Sequence, residues 1–268
     1  MSARAQKGLG AFCCVVVVFL VAPTLVLIPM SFSSGRTLAF PPPGFSLQWY
    51  ENLFGDPVWR LAGQTSVQVA VLTAILATAL GTPAAFGLVR GRFRGRAFVN
   101  AIVLAPMIVP LIVVAIGMYA VFASWGLLGS IAGLVIGHTA LALPFVVINI
   151  AASLQTMDRE LEAASLSLGA SPLQTFRYVT MPAILPGVLA GALFAFITSW
   201  DEVVVAIFLT NPLVNTLPAL MWQQVNTEID PTVAAAANVL TLLTTVLFVA
   251  WVVSRRRASI RSKAGPWN

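Results

Sequence analysis

The chain of 268 residues is 59% hydrophobic and only 9% charged, with a net charge of +6 and a mean hydropathy of +0.91. So little charge cannot cover a water-soluble domain of this length, which leaves a membrane protein. The positive balance requires no nucleic acid, because basic residues bordering membrane spans and facing anionic lipid account for it.

A helix crosses the hydrocarbon core with about 20 mostly apolar residues, and six windows of that kind occur, at 9–32, 61–89, 98–122, 131–154, 184–209 and 233–253. None alternates as a barrel strand does, so the predicted class is all-α with six transmembrane helices. The first window follows Arg4 and Lys7, contains Pro23 and Pro29 and lacks a small-residue cleavage site. It reads as an uncleaved signal anchor. The adjacent Cys13 and Cys14 inside it suit neither a disulfide with each other nor a metal, and serve as small apolar filler. After it, Pro41, Pro42, Pro43 and Gly44 form a rigid turn. Phe45, Trp49, Tyr50, Leu53, Phe54 and Trp59 then predict a short amphipathic helix on the outer interface.

Arg90, Arg92, Arg94 and Arg96 follow the second window. Lys and Arg accumulate in short cytoplasmic loops. A topology with both termini inside places all of the 15 basic residues there except Arg36 and Arg60. His138, the only histidine, excludes histidine-rich metal catalysis and reads as a hydrogen-bonding residue between packed helices. The two lysines, Lys7 and Lys263, are followed by Gly8 and Ala264, so the chain has no phosphate-binding loop for ATP hydrolysis. The expectation is a protein that is not an enzyme, with no catalytic residue, no metal and no bound cofactor.

Between the fourth and fifth windows lies a polar island. Asp158, Arg159, Glu160 and Glu162 interleave with Leu161, Ala164, Leu166 and Leu168, which suits a short amphipathic helix. Gly169 is placed to end it. Ser171 and Pro172 are placed to start another as N-cap and first helical residue. Composition alone leaves both a projecting knob and an ordinary loop open. In the fifth window Gly187, Gly191, Ala195 and Ser199 form a small-residue face for close helix packing. Trp200, Asp201 and Glu202 follow, roughly 22 Å beyond Pro186 at 1.5 Å per residue.

A carboxylate at a helix centre costs about 2.5 to 3.5 kcal/mol, so these acids need a cavity, a partner or a cationic ligand. Trp200 offers an aromatic face for an ammonium group. Acids bonded to polar groups of a partner subunit are the alternative. Glu228 and Asp230 either add negative potential to an outer entrance or are solvated loop charge. Ala234, Asn238, Thr241 and Thr245 form a weakly polar stripe that favours helix packing over pore lining.

Glu162-Ala163-Ala164, Gly169 and the thirteen-residue step to Pro182 resemble the EAA loop of ATP-binding-cassette importer permeases of the MetI-like type. That resemblance implies a type I importer fold and a single permease domain, 1–268, with its core at about 61–253. It implies a cytoplasmic coupling loop, 155–182, in which Glu160, Glu162, Ala163, Ala164, Gly169, Ala170 and Pro172 dock on an ATPase. It also implies two copies of that ATP-binding subunit, which hold ATP and Mg, a second homologous permease, a periplasmic substrate-binding protein and the bacterial inner membrane. One departure stands out: the position six before the glycine is Ala163, and Glu162 lies seven before. That weakens Glu162 as a salt-bridge partner of the ATPase.

The stretches FPPPGFSLQWYENLF, SWDEVVVAIFLT, TLPALMW and NTEIDPTVAA resemble inner-membrane permeases for spermidine and putrescine. The resemblance implies that Trp200, Asp201 and Glu202 line the path of a polyamine. An amino acid or phosphonate permease of the same family is the alternative, as is an ATP-independent channel or scaffold.

Overall fold

Apolar stretches that meet hydrocarbon fold as helices, because a helix satisfies its own backbone N–H and C=O groups. The computed structural model describes residues 3–227 and 230–263. Its helices are α1 (Ala3–Ser31), α2 (Gln48–Gly55), α3 (Pro57–Arg90), α4 (Arg96–Ile108), α5 (Leu111–Ser124), α6 (Ile131–Thr156) and α7 (Glu160–Ser167). They continue as α8 (Pro172–Thr175), a π-helical turn (Phe176–Thr180), α9 (Met181–Trp200), α10 (Val204–Leu209), α11 (Leu217–Thr227) and α12 (Thr232–Lys263). Among the described residues five stretches are long and apolar enough to cross a membrane, or six if the bent pair α4–α5 is one span. The six-span expectation and the helical class therefore hold.

Three details differ from the sequence reading. The window at 98–122 is two helices, α4 and α5, meeting at 107°. Pro110 lacks an amide hydrogen and holds Val109 extended at φ −72° and ψ 134°. The window at 184–209 is also broken: α9 stops at Trp200 and the chain resumes helix at Val204. Finally, no boundary separates the polar island from the fifth span, since helix runs without a break from Pro172 to Trp200. A π turn, in which the Met181 amide bonds the Phe176 carbonyl, precedes Pro182, which has no amide hydrogen of its own.

The chain divides into two compact units, Met1–Arg60 with Leu220–Val246 and Leu61–Ala219 with Leu247–Asn268. In the first, polar side chains join the helices. Asn238 of α12 donates to Ser31 Oγ at 2.6 Å and to the Leu27 carbonyl at 3.3 Å. The Ser31 hydroxyl also meets Tyr50 OH at 2.9 Å, and Asn52 Nδ2 donates to Thr232 Oγ1 at 2.9 Å. The polar stripe of the sixth span thus packs at Ala234 and Asn238, while Thr241 is exposed and bonds its own helix at the Ala237 carbonyl. The aromatic segment after the proline turn forms the expected short helix, α2. It is secured by Trp49 Nε1 donating to the Ser33 carbonyl at 2.7 Å.

In the second unit α6 is the central element. It is apolar on all sides, as a buried helix must be, and Leu134, Ala142, Val146 and Ile150 are fully buried. Ser130 caps its start by accepting the Gly133 amide at 3.0 Å. The small-residue face of α9 lies against it. A Cβ added at Gly191 would sit 3.0 Å from Val146 Cα, and one at Gly187 would sit 2.8 Å from the Asn149 carbonyl oxygen. Ala195 is fully buried and Ser199 bonds His138. Glycine here removes the atom that would force the backbones apart.

Gly191→Leu therefore separates α6 from α9 and lowers stability by about 1–3 kcal/mol, whereas Gly191→Ala does less. Thermal unfolding of the purified chain in detergent measures both.

Candidate functional site

Two helix interruptions face one cavity of about 630 Å³. Pro106, Met107, Val109 and Leu111 line it from the α4–α5 bend, Leu141 and Phe145 from α6, and Ile197, Thr198, Asp201 and Glu202 from the α9–α10 break. Asp201 and Glu202 are the only charged residues of that lining. Their environments differ. Asp201 is exposed, and its carboxylate is hydrogen-bonded to no other side chain among the described residues.

Glu202 is 6% exposed. Its Oε1 accepts the Val205 amide and its Oε2 the Ala206 amide, each at 2.8 Å. The first amides of a helix have no partner within it, and a negative charge there also suits the helix dipole. Glu202 is thus the cap that lets α10 restart inside an apolar region. Behind it, His138 Nε2 lies 3.6 Å from Glu202 Oε2, and His138 Nδ1 and Ser199 Oγ share a 2.8 Å hydrogen bond. The lone histidine therefore joins α6 to both sides of the break, in agreement with a helix-packing role.

Trp200 is 4% exposed and stacks on Phe196, with ring centroids 6.0 Å apart. It is outside the cavity lining, where Phe145 is the aromatic residue present. Of the two acids that precede the sixth span, Glu228 lies outside the described residues. Asp230 caps α12, its Oδ1 accepting the Thr232 amide and hydroxyl at 2.8 Å each.

The polar island is an elbow between the short helix α7 and the start of the long helical run from Pro172. Gly169 adopts φ +86°, a conformation that side-chain-bearing residues rarely reach. Its amide reaches the Leu166 carbonyl at 3.0 Å while that of Ala170 reaches Ser165 at 3.2 Å, which is the glycine-terminated helix end. Ser171 then accepts the Gln174 amide, and the Ser171 amide donates to Gln174 Oε1 at 2.7 Å. Pro172 occupies the first helical turn as expected. Around the corner Leu168 is 89% and Leu173 75% exposed, and Glu160, Ala163 and Ala164 also face outward. Unlike these, Glu162 turns inward. Its two oxygens take Arg90 Nη1 at 2.7 and 2.6 Å, and the Thr180 hydroxyl donates to Oε1. Neither Arg90 nor Thr180 is suggested by the motif, because the partners lie 72 and 18 residues away.

Residues 77–260 match the family model described as "Binding-protein-dependent transport system inner membrane component". The spermidine/putrescine transport system permease protein PotC of Escherichia coli K12 is 34% identical over 241 residues, covering 90% of this chain and 91% of PotC. The putrescine transport system permease protein PotI of the same organism is 34% identical over 122 residues, so the chain spans 43% of the length of that relative. A solved bacterial importer of the acidic polysaccharide alginate shares the fold, with a TM-score of 0.70 at 19% identity over 95% of this chain and 98% of that one. The MetNI methionine transporter does so with a TM-score of 0.61 at 22% identity, over 76% of this chain and 95% of that one.

Partial burial pushes the Glu162 carboxyl up, but hydrogen bonds from Arg90 and Thr180 and the charges of Arg90 and Arg159 outweigh it and hold it below its ordinary 4.5. The attachment of α7 is therefore at full strength above about pH 4.5 and is lost as pH falls through the lower folded value. Amide exchange of α7 in the purified chain should accelerate in acid, and Glu162→Gln should be fast at neutral pH without that dependence.

Proposed function

Because the chain belongs to the family of binding-protein-dependent transport system inner membrane components, we propose that it is the permease subunit of an ATP-driven importer for spermidine or putrescine. It forms half of the pathway, and a second permease of the same family forms the other half. Two copies of an ATP-binding subunit hold ATP and Mg, and a periplasmic binding protein delivers the solute. Both termini are cytoplasmic and the assembly lies in the bacterial inner membrane. The whole chain acts as one permease domain. Fuel is burned by the motor subunits, and this chain supplies the path and the docking elbow. Alternating access follows when closure of the motor moves the elbows and the spans rock outward.

The observation that carries the substrate class is Asp201 at the α9–α10 break, an exposed carboxylate on a cavity of about 630 Å³ whose other lining residues, except Glu202, are uncharged. A carboxylate in such surroundings attracts an alkylammonium group far more strongly than it would in water. Glu202 contributes negative potential, but its oxygens are committed to α10. Trp200 supports the break from the buried side. Asp230 and Glu228 add negative potential where the solute is handed over.

Orientation is supported by the contact between Arg90 and Glu162, which puts the arginine-rich stretch 90–96 at the same end of the helices as the elbow. Basic loops of that kind face the cytoplasm. The elbow offers Leu168 and Leu173 as apolar anchors, and Glu160, Ala163, Ala164, Ala170 and Pro172 shape the surface that meets the motor.

In the assembled complex in vesicles, Asp201→Asn should cut uptake of labelled spermidine about tenfold or more at limiting substrate. Glu202→Gln should instead lower stability by about 1–3 kcal/mol, since an amide cannot accept both N–H bonds. Unchanged uptake in Asp201→Asn would remove the basis for a cationic solute. Gly169→Asp strains the left-handed turn by about 1–2 kcal/mol and should abolish copurification with the ATP-binding subunit.

A further inference from the structure

The elbow helix α7 buries none of its residues, so packing alone does not hold it to the protein. Two polar links do. On the side of the following helix, Ser165 Oγ meets Thr175 Oγ1 at 3.0 Å. The other link runs to a different span. Arg90, the last residue of α3, bonds both oxygens of Glu162, and the Thr180 hydroxyl closes the arrangement from the π turn that leads into α9.

The guanidinium is itself held in place. Its Nη2 lies 3.8 Å from Met157 Sδ, and its carbon sits 5.4 Å from the centroid of the Phe86 ring. Phe86 in turn meets the edge of Phe176 at 5.6 Å. The side chains of Arg90 and Glu162 are 24% and 17% exposed, so water screens the pair less than it does a surface ion pair. A planar guanidinium fixed by a ring beneath it and a carboxylate beside it transmits direction as well as attraction.

On the reading of the elbow as the motor-docking element, we infer that Arg90 and Thr180 are positioning residues that clamp Glu162. The clamp makes α7 move as one piece with the end of α3 as well as with α9. Motor closure is thereby delivered to two spans at once. Without the clamp, α7 would be joined to the rest of the chain only through the helix that follows it and the linker that precedes it, and α3 would lag. Glu162 thus acts within the chain, and the surface that meets the motor is built from its exposed neighbours.

The test uses the complete complex in vesicles, with ATP hydrolysis and labelled spermidine uptake measured together. Arg90→Gln and Glu162→Gln should each retain copurification with the ATP-binding subunit, yet transport about fivefold less solute per ATP. The charge-swapped pair Arg90→Glu with Glu162→Arg should regain most of that ratio, and Thr180→Val should fall between wild type and the single variants. Loss of copurification in Glu162→Gln overturns the inference, because it would mean that the carboxylate faces the motor. An unchanged ratio in the single variants, or no recovery in the swapped pair, also overturns it.

Should the wild-type chain bind no ATP-binding subunit, it is the proposed function that fails. The clamp is still read in the purified chain. Amide exchange should rise together in α7 and in the last turn of α3 in either single variant and return in the swapped pair. Exchange that rises in α7 alone overturns the clamp.

Discussion

A helix interrupted within an apolar layer leaves amides that no water can satisfy, and the arrangement of this chain depends on how that deficit is met. At the α9–α10 break the answer is Glu202, whose two oxygens each take one amide of α10. The cost of burying the carboxylate is offset by those charge-assisted bonds, and His138 and Ser199 tie the arrangement to α6. Because the break is supported from behind, Asp201 can stand at its edge without being needed for the fold. Two neighbouring acids thus acquire different uses from their surroundings alone.

The same division recurs beyond the other end of the helical run from Pro172 to Trp200. Glu162 is consumed by an internal contact with Arg90 and Thr180, which leaves the outer surface of the elbow to exposed leucines. Charge in this chain is scarce, and where the structure gives it a partner within the protein it joins elements that would otherwise be held only by nonspecific apolar contact. The remaining charge borders the spans or faces the cavity.

Much of this was legible in the sequence where the rule is local. Gly169, Ser171 and Pro172 announced the elbow, since a left-handed helix end and a capped restart depend on residues only a few positions apart. The stripe Gly187, Gly191, Ala195 and Ser199 announced the face of α9 for the same reason. The bend at Val109 was hidden because hydropathy does not change across it, although Pro110 carried the signal. The break after Trp200 was hidden by the apolar run that follows. An acid just ahead of that run was nevertheless a helix-start signal. Arg90 could not be paired with Glu162 from sequence, because nothing in composition relates positions 72 apart. Trp200 is buried and outside the cavity lining, because which face of the last turn of α9 meets protein is set by elements distant in sequence.

The unbroken run from Pro172 to Trp200 has a mechanical meaning. It makes a strut of 29 residues, about 40 Å long at 1.5 Å per residue, with one end in the corner beside Gly169 and the other at the edge of Asp201. A tilt imposed at the first end becomes a proportional sweep at the second. The distance between the elbow corner and the cavity edge is thereby spanned by one continuous helix.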